Sequence, residues 1–176
     1  MNEDITLTNN MNALLCLPIP MLAAQLGELL TQKQLRVTTA ESCTGGQIAT
    51  ALCAAGDTPA FFGCGFVSFT DEAKSTLLHV KRETLARWTA VSEQTASEMV
   101  QGACAVSHEP VGIAVTGYAG PDGGEDGTPA GTVWFAWALP GQAPITALRH
   151  FAGDCESVIE QSVKYALATL ITLLNR

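Results

Sequence analysis

The stretch Val37-Thr38-Thr39-Ala40-Glu41-Ser42-Cys43-Thr44-Gly45-Gly46 constrains this chain more than any other. A β-branched run gives way to hydroxyl and thiol side chains, and two glycines then open a helical pattern. A strand that turns directly into a helix presents side chains and backbone N–H groups to one point, because the first helical turn leaves its donors unpaired. An anion or a developing oxyanion is stabilised there. Ser42 is therefore the candidate nucleophile, and the N–H groups around Thr44 to Gly46 are a candidate cradle. The flanks Ala40 and Thr44 are not the glycines of a hydrolase nucleophile elbow, and no Gly-Lys-Ser/Thr follows to make a phosphate loop. The same residues also suit an ordinary helix with a Ser or Thr N-cap.

Around this turn the chain alternates helical and extended patterns. Leu22, Leu26, Leu29 and Leu30 form the stripe of an amphipathic helix ending near Gln34. Arg36 to Ala40 is a short strand, and Gly45 to Ala55 a second helix stopped at Gly56-Asp57-Thr58-Pro59. Phe61 to Phe69 is apolar with embedded glycines and reads as a strand buried on both faces. Thr70 is the expected N-cap of a helix carrying Asp71 and Glu72 in its first turn and Lys74 one turn in. A further helix opens at Ser92, striped at Ala96, Met99, Val100 and Ala103, and a strand follows over Val111 to Thr116. After a glycine-rich loop from Gly117 to Gly131, Thr132 to Ala138 and Ile145 to Phe151 read as a hairpin around Pro140-Gly141. The closing helix, from about Glu156, is striped at Ile159, Val163, Ala166, Leu167, Leu170 and Leu174. Alternation followed by two adjacent strands predicts an α/β layer fold with a mixed sheet.

At 176 residues and 47% hydrophobic content, the sequence predicts one domain over 21–176, preceded by an irregular extension over 1–20 that Pro18 and Pro20 interrupt. That extension is too short in its apolar part for a membrane span and has no basic leader region. Nine Lys and Arg against 17 Asp and Glu give a net charge of −8 with no basic run. Nucleic acid and anionic membrane surfaces are therefore excluded as general partners. The six cysteines form no C-x-x-C pair, which fits reduced thiols in the cytoplasm. Neither they nor the three isolated histidines carry a metal-ligand spacing, so no catalytic metal is expected.

A serine needs a group to accept its proton, and without a nearby histidine the available base is a lysine made neutral by desolvation. Only Lys33, Lys74, Lys81 and Lys164 are on offer, and Lys74 follows directly from an apolar strand. Taken alone, Lys74 equally suits a solvated lysine pairing with Asp71 at i, i+3. Cys43 is a rival nucleophile, set against its reading as a small buried apolar residue. The loop Thr116 to Gly127 carries five glycines that let backbone approach a ligand, or is simply an acidic surface loop with Asp122, Glu125 and Asp126 solvated.

The segments Thr39 to Gly46, Gly65 to Lys74, Thr116 to Gly124, Gly131-Thr132-Val133-Trp134 and Phe151-Ala152-Gly153-Asp154 together resemble the CinA C-terminal domain family, over nearly all of Leu22 to Arg176. That family includes the nicotinamide mononucleotide amidohydrolases, which release ammonia from the nucleotide's carboxamide. The resemblance implies a three-layer α/β/α domain with a mixed sheet, a homo-oligomer, and a Ser–Lys mechanism without metal or cofactor. Carried over by position, Ser42 attacks the amide and Lys74 takes and returns the proton. Cys43, Thr44, Gly45 and Gly46 cradle the oxyanion, while Glu41, Phe69, Gly117, Tyr118, Gly120, Gly123 and Gly124 meet the nucleotide.

Three departures bear on function. Phe69 stands where the family pattern has tyrosine, and Asp71 where it has asparagine. Cys155 and Ile159 stand where it has two arginines one helical turn apart, a natural fork for phosphate. A paralogue that binds a nucleotide or a protein without turning it over is thus the alternative to an amidohydrolase.

Overall fold

The computed structural model describes residues 10–176. Its centre is a five-stranded sheet in the order β2-β1-β3-β4-β5, with β1 Val37–Glu41, β2 Phe62–Val67, β3 Val111–Gly117, β4 Thr132–Ala138 and β5 Ile145–His150. Strand β1 runs parallel to both β2 and β3, and the β3–β4 and β4–β5 pairs are antiparallel. The sheet is mixed, as its connections require: helices join the parallel strands, while β4 and β5 are joined by a short turn at Gly141, φ +71°.

Helices cover both faces. One face packs against α1 Ile19–Gln32, α2 Gln47–Ala54 and α6 Cys155–Leu174. The other packs against α3 Asp71–Leu78, α4 Arg82–Trp88 and α5 Glu93–Ser107. The period-2 alternation of the strands sorts their side chains by size. Val37, Ile113, Val115, Val133, Phe135 and Trp137 fill the first face. There the Trp137 indole donates to the Ala166 carbonyl at 3.1 Å, which satisfies its polar edge in the core.

The second face carries alanines in register, Ala40 beside Ala114 and Ala114 beside Ala136. This flat row lets α5 lie close to the sheet. Helix α5 in turn meets α3 through Gly102, where any Cβ would collide with the carbonyl oxygen of Leu78.

The helix stripes and the caps at Thr70 and Ser92 fall where the sequence puts them. The segment Phe61 to Phe69 does not behave as expected. Its strand β2 lies at the sheet edge, with Phe62 buried, Cys64 and Phe66 half-buried and Gly63, Gly65 and Val67 exposed, so it is covered on one face instead of two. The β1–β2 register shifts between Val37 and Thr38. Helix α4 went unread because only Leu85 of its seven residues is buried, too little for a stripe. Of the extension over 1–20, residues 1–9 lie outside the described part. Residues 10–15 are helical, and Leu14 inserts into the core at 4% exposure.

Replacing Gly102 with alanine forces α3 and α5 apart. The expected loss is about 1–3 kcal/mol of stability, read by urea denaturation. An unchanged midpoint would show that the crossing tolerates a methyl group.

Candidate active site

The carboxyl ends of the three parallel strands converge on one cleft, the position at which open α/β sheets form crevices. Ser42 is the first residue beyond β1 and sits below solvent at 6% exposure. Its N–H donates to the Val115 carbonyl at 3.0 Å, so the serine is tied to β3 as well as to its own strand.

Glu41 fixes the turn from within. Its buried carboxylate accepts from the Thr44 hydroxyl at 2.6 Å, the Ile48 N–H at 3.0 Å and the Ala49 N–H at 2.8 Å. An acidic side chain thus reaches forward to satisfy the open N-terminus of α2, where the helix dipole favours negative charge. Gly45 and Gly46 take left-handed backbone, φ +58° and +92°, which lets the chain double back into that helix.

Lys74 enters from the opposite face of the sheet. Thr70 caps α3 by accepting from the Ala73 N–H at 3.1 Å, and one turn later the Lys74 side chain is buried, with 1% exposure. Its Nζ lies 2.9 Å from the Ser68 carbonyl, 3.1 Å from the Phe69 carbonyl and 3.0 Å from Ser42 Oγ. No carboxylate lies within ion-pair distance of it among the described residues. Burial therefore holds its pKa below the usual lysine range, against smaller upward pulls from Asp71 and Cys43. A neutral amine has two N–H groups and one lone pair. In that form, with both N–H groups on the carbonyls of Ser68 and Phe69, the lone pair would be left to the Ser42 hydroxyl, the arrangement a general base needs. The solvated Lys74–Asp71 pair that the sequence also allowed is absent.

Burial pushes the Cys43 thiol up to about 12, so it remains protonated at neutral pH and is a poor rival to Ser42. The backbone N–H groups of Cys43, Thr44 and Gly46 donate to no acceptor among the described residues, whereas that of Gly45 donates to the Ser42 carbonyl at 3.1 Å.

Around the pair lies a cleft of about 300 Å³. Of the residues singled out from sequence, Ser42, Cys43, Phe69, Lys74, Gly117, Tyr118 and Gly120 line it together. Thr44, Gly45 and Gly46 contribute to the turn without being among its lining residues, and Glu41 faces helix α2, so its part is to hold the turn. Gly123 and Gly124 also lie off the lining. The Gly124 N–H donates to the Thr128 carbonyl at 2.7 Å, and Gly123 passes too close to that carbonyl for any side chain.

Thr116 and Ala119, from the loop read in the sequence, also line the cleft, as do Ala90 and Val91, which were missed from sequence. The Thr116 hydroxyl donates to the Ala90 carbonyl at 2.7 Å, pinning the loop after α4 to β3. Nothing local in the sequence announces that contact. Cys155, at the start of α6, also lines the cleft, whereas Ile159 packs against the core.

Acidity surrounds the opening. Asp122 lines it, and burial together with the carboxylates of Asp126, Asp71 and Glu125 pushes the Tyr118 phenol above its ordinary range. Among the described residues no three His, Cys, Asp or Glu side chains gather as a metal site. No described helix is long and apolar enough to cross a membrane.

The CinA C-terminal domain family matches residues 20–174. The chain is 58% identical over 156 residues to the Escherichia coli protein YdeJ, covering 89% of this chain and 90% of that one. It is 42% identical over 149 residues to the Escherichia coli nicotinamide-nucleotide amidohydrolase PncC, covering 85% and 90%. A crystal structure of a CinA superfamily protein from Escherichia coli superposes with a TM-score of 0.87 at 57% identity, over 89% and 90% of the two chains.

The Glu41→Ala variant strands the Thr44 hydroxyl and two helix N–H groups. Stability should fall by at least about 2 kcal/mol, read by urea denaturation, while Glu41→Gln, which keeps an acceptor oxygen, should lose less. Equal losses would mean that carboxylate acceptance is not what secures the turn.

Proposed function

The chain belongs to the CinA C-terminal domain family, and on that premise we propose that it is a Ser–Lys amidohydrolase acting on a nicotinamide nucleotide or a related amide. The observation that carries the reading is the buried contact of 3.0 Å between Lys74 Nζ and Ser42 Oγ. In the proposed sequence, Lys74 accepts the hydroxyl proton as Ser42 Oγ bonds to the amide carbon. The free N–H groups of Cys43 and Thr44 are the donors assigned to the resulting oxyanion. Collapse breaks the C–N bond, and the Lys74 proton leaves with ammonia. Water then gives its proton to the same amine as its oxygen bonds to the acyl carbon; the bond to Ser42 Oγ breaks, Lys74 returns the proton to that oxygen, and the carboxylic acid leaves.

A second reading is a family member that binds such a ligand without turning it over. Phe69 favours it, because a tyrosine there would bring a hydroxyl and phenylalanine brings none.

Ammonia release from a panel of nicotinamide amides that includes the mononucleotide decides between them. Turnover is expected, with Ser42→Ala at background and Lys74→Ala slower by roughly 10²–10⁴-fold. A parent chain no faster than Ser42→Ala on every amide removes the hydrolase reading.

The pH profile gives an independent check. Below its folded pKa Lys74 is charged and cannot act as base, so activity should rise with pH and level off once the amine is neutral. Because burial lowers that pKa, the rise should centre below the ordinary lysine value of 10.5. Asp71 pulls the same pKa up, so Asp71→Asn should move the rise to lower pH. A profile unmoved by Asp71→Asn would take Lys74 out of the role of base.

A further inference from the structure

The cleft holds one lysine, and its nitrogen is committed to Ser42 and to the carbonyls of Ser68 and Phe69. Among the described residues no arginine, histidine or other lysine lines the cleft. A phosphate entering it would meet no free cation, and it would meet the carboxylate of Asp122 in the lining. After burial, the carboxylates of Asp126, Asp71 and Glu125 add to what disfavours ionisation of the Tyr118 hydroxyl. They disfavour a phosphate dianion at the same mouth for the same reason.

What the cleft offers is aromatic and small. The ring of Phe69 is 73% exposed at the rim, and Tyr118 forms part of the wall. Aromatic faces beside carboxylates attract a delocalised cation. Cys155, at the first position of α6, adds a compact side chain that leaves room and no charge. The volume of about 300 Å³ is at the small end for ligand sites and suits a single ring with modest substituents.

We propose that this cleft selects a primary carboxamide on a positively charged aromatic ring that carries no phosphate, and that Cys155 and Asp122 set this preference. The proposal deepens the amidohydrolase reading and rests on it for the placement of the carboxamide at Ser42. Charge selection itself is a property of the cleft walls, so binding reads it without turnover.

The experiment is calorimetric titration of the intact Ser42→Ala chain with three probes: 1-methylnicotinamide, nicotinamide riboside and nicotinamide mononucleotide. Ammonia release by the parent chain is measured in parallel. The riboside should bind at least roughly tenfold more tightly than the mononucleotide, and added salt should narrow the gap. Asp122→Asn should narrow it as well, and Cys155→Arg should reverse the order. Mononucleotide binding as tight as or tighter than the riboside in the Ser42→Ala chain overturns the proposal, as does the absence of binding by all three. Riboside preference in binding with no ammonia from any probe leaves the selection standing and removes the hydrolase reading. Ammonia released preferentially from the mononucleotide keeps the hydrolase and overturns the selection.

Discussion

The structure depends on keeping one amine out of water and among oxygens that carry no formal charge. A lysine head group held in this way loses hydration that its charged form needs, and only dipoles replace it. The carbonyls of Ser68 and Phe69 are placed by the chain as it leaves β2, and Ser42 Oγ by the chain as it leaves β1. The state of the amine is therefore decided by the spacing of two neighbouring parallel strands. Anything that alters that spacing alters the chemistry at the same time.

The two faces of the sheet meet at the Ser42–Lys74 contact. Ser42 leads into a helix on the face filled by large side chains, and Lys74 sits on a helix of the face lined by alanines. The alanine row and Gly102 bring α5 and α3 in close, and that sets the depth to which Lys74 is buried. On the other side Glu41 ties β1 to α2, so the serine cannot drift along its strand. The antiparallel pair β4 and β5 contributes no cleft-lining side chain and serves as a buttress to β3.

Much of this was legible in the chain because it is written at short range. The stripe Ala96, Met99, Val100 and Ala103, the caps Thr70 and Ser92, and the strand-to-helix turn at Ser42 are all local patterns, and local patterns survive folding. Lys74 was not legible from its neighbours. A lysine two residues past Glu72 and three past Asp71 looks solvated until tertiary packing closes over it, and resemblance was needed to single it out. Glu41 was misread for the converse reason. Its side chain reaches seven and eight residues forward to helix donors, a distance no periodicity reveals. The edge position of β2 escaped because glycines and phenylalanines read as buried whether one face or both are covered. The Ala90–Thr116 contact, across 26 residues, leaves no local trace at all.

At position 69 the main chain and the side chain have separate duties. The carbonyl holds the lysine, while the ring stands free at the rim. Exchanging that ring leaves the amine's anchorage where it was. A lineage can therefore vary the side chain presented at the rim without disturbing the buried Lys74–Ser42 contact, so change in what meets the cleft mouth is separable from change in how the amine is held.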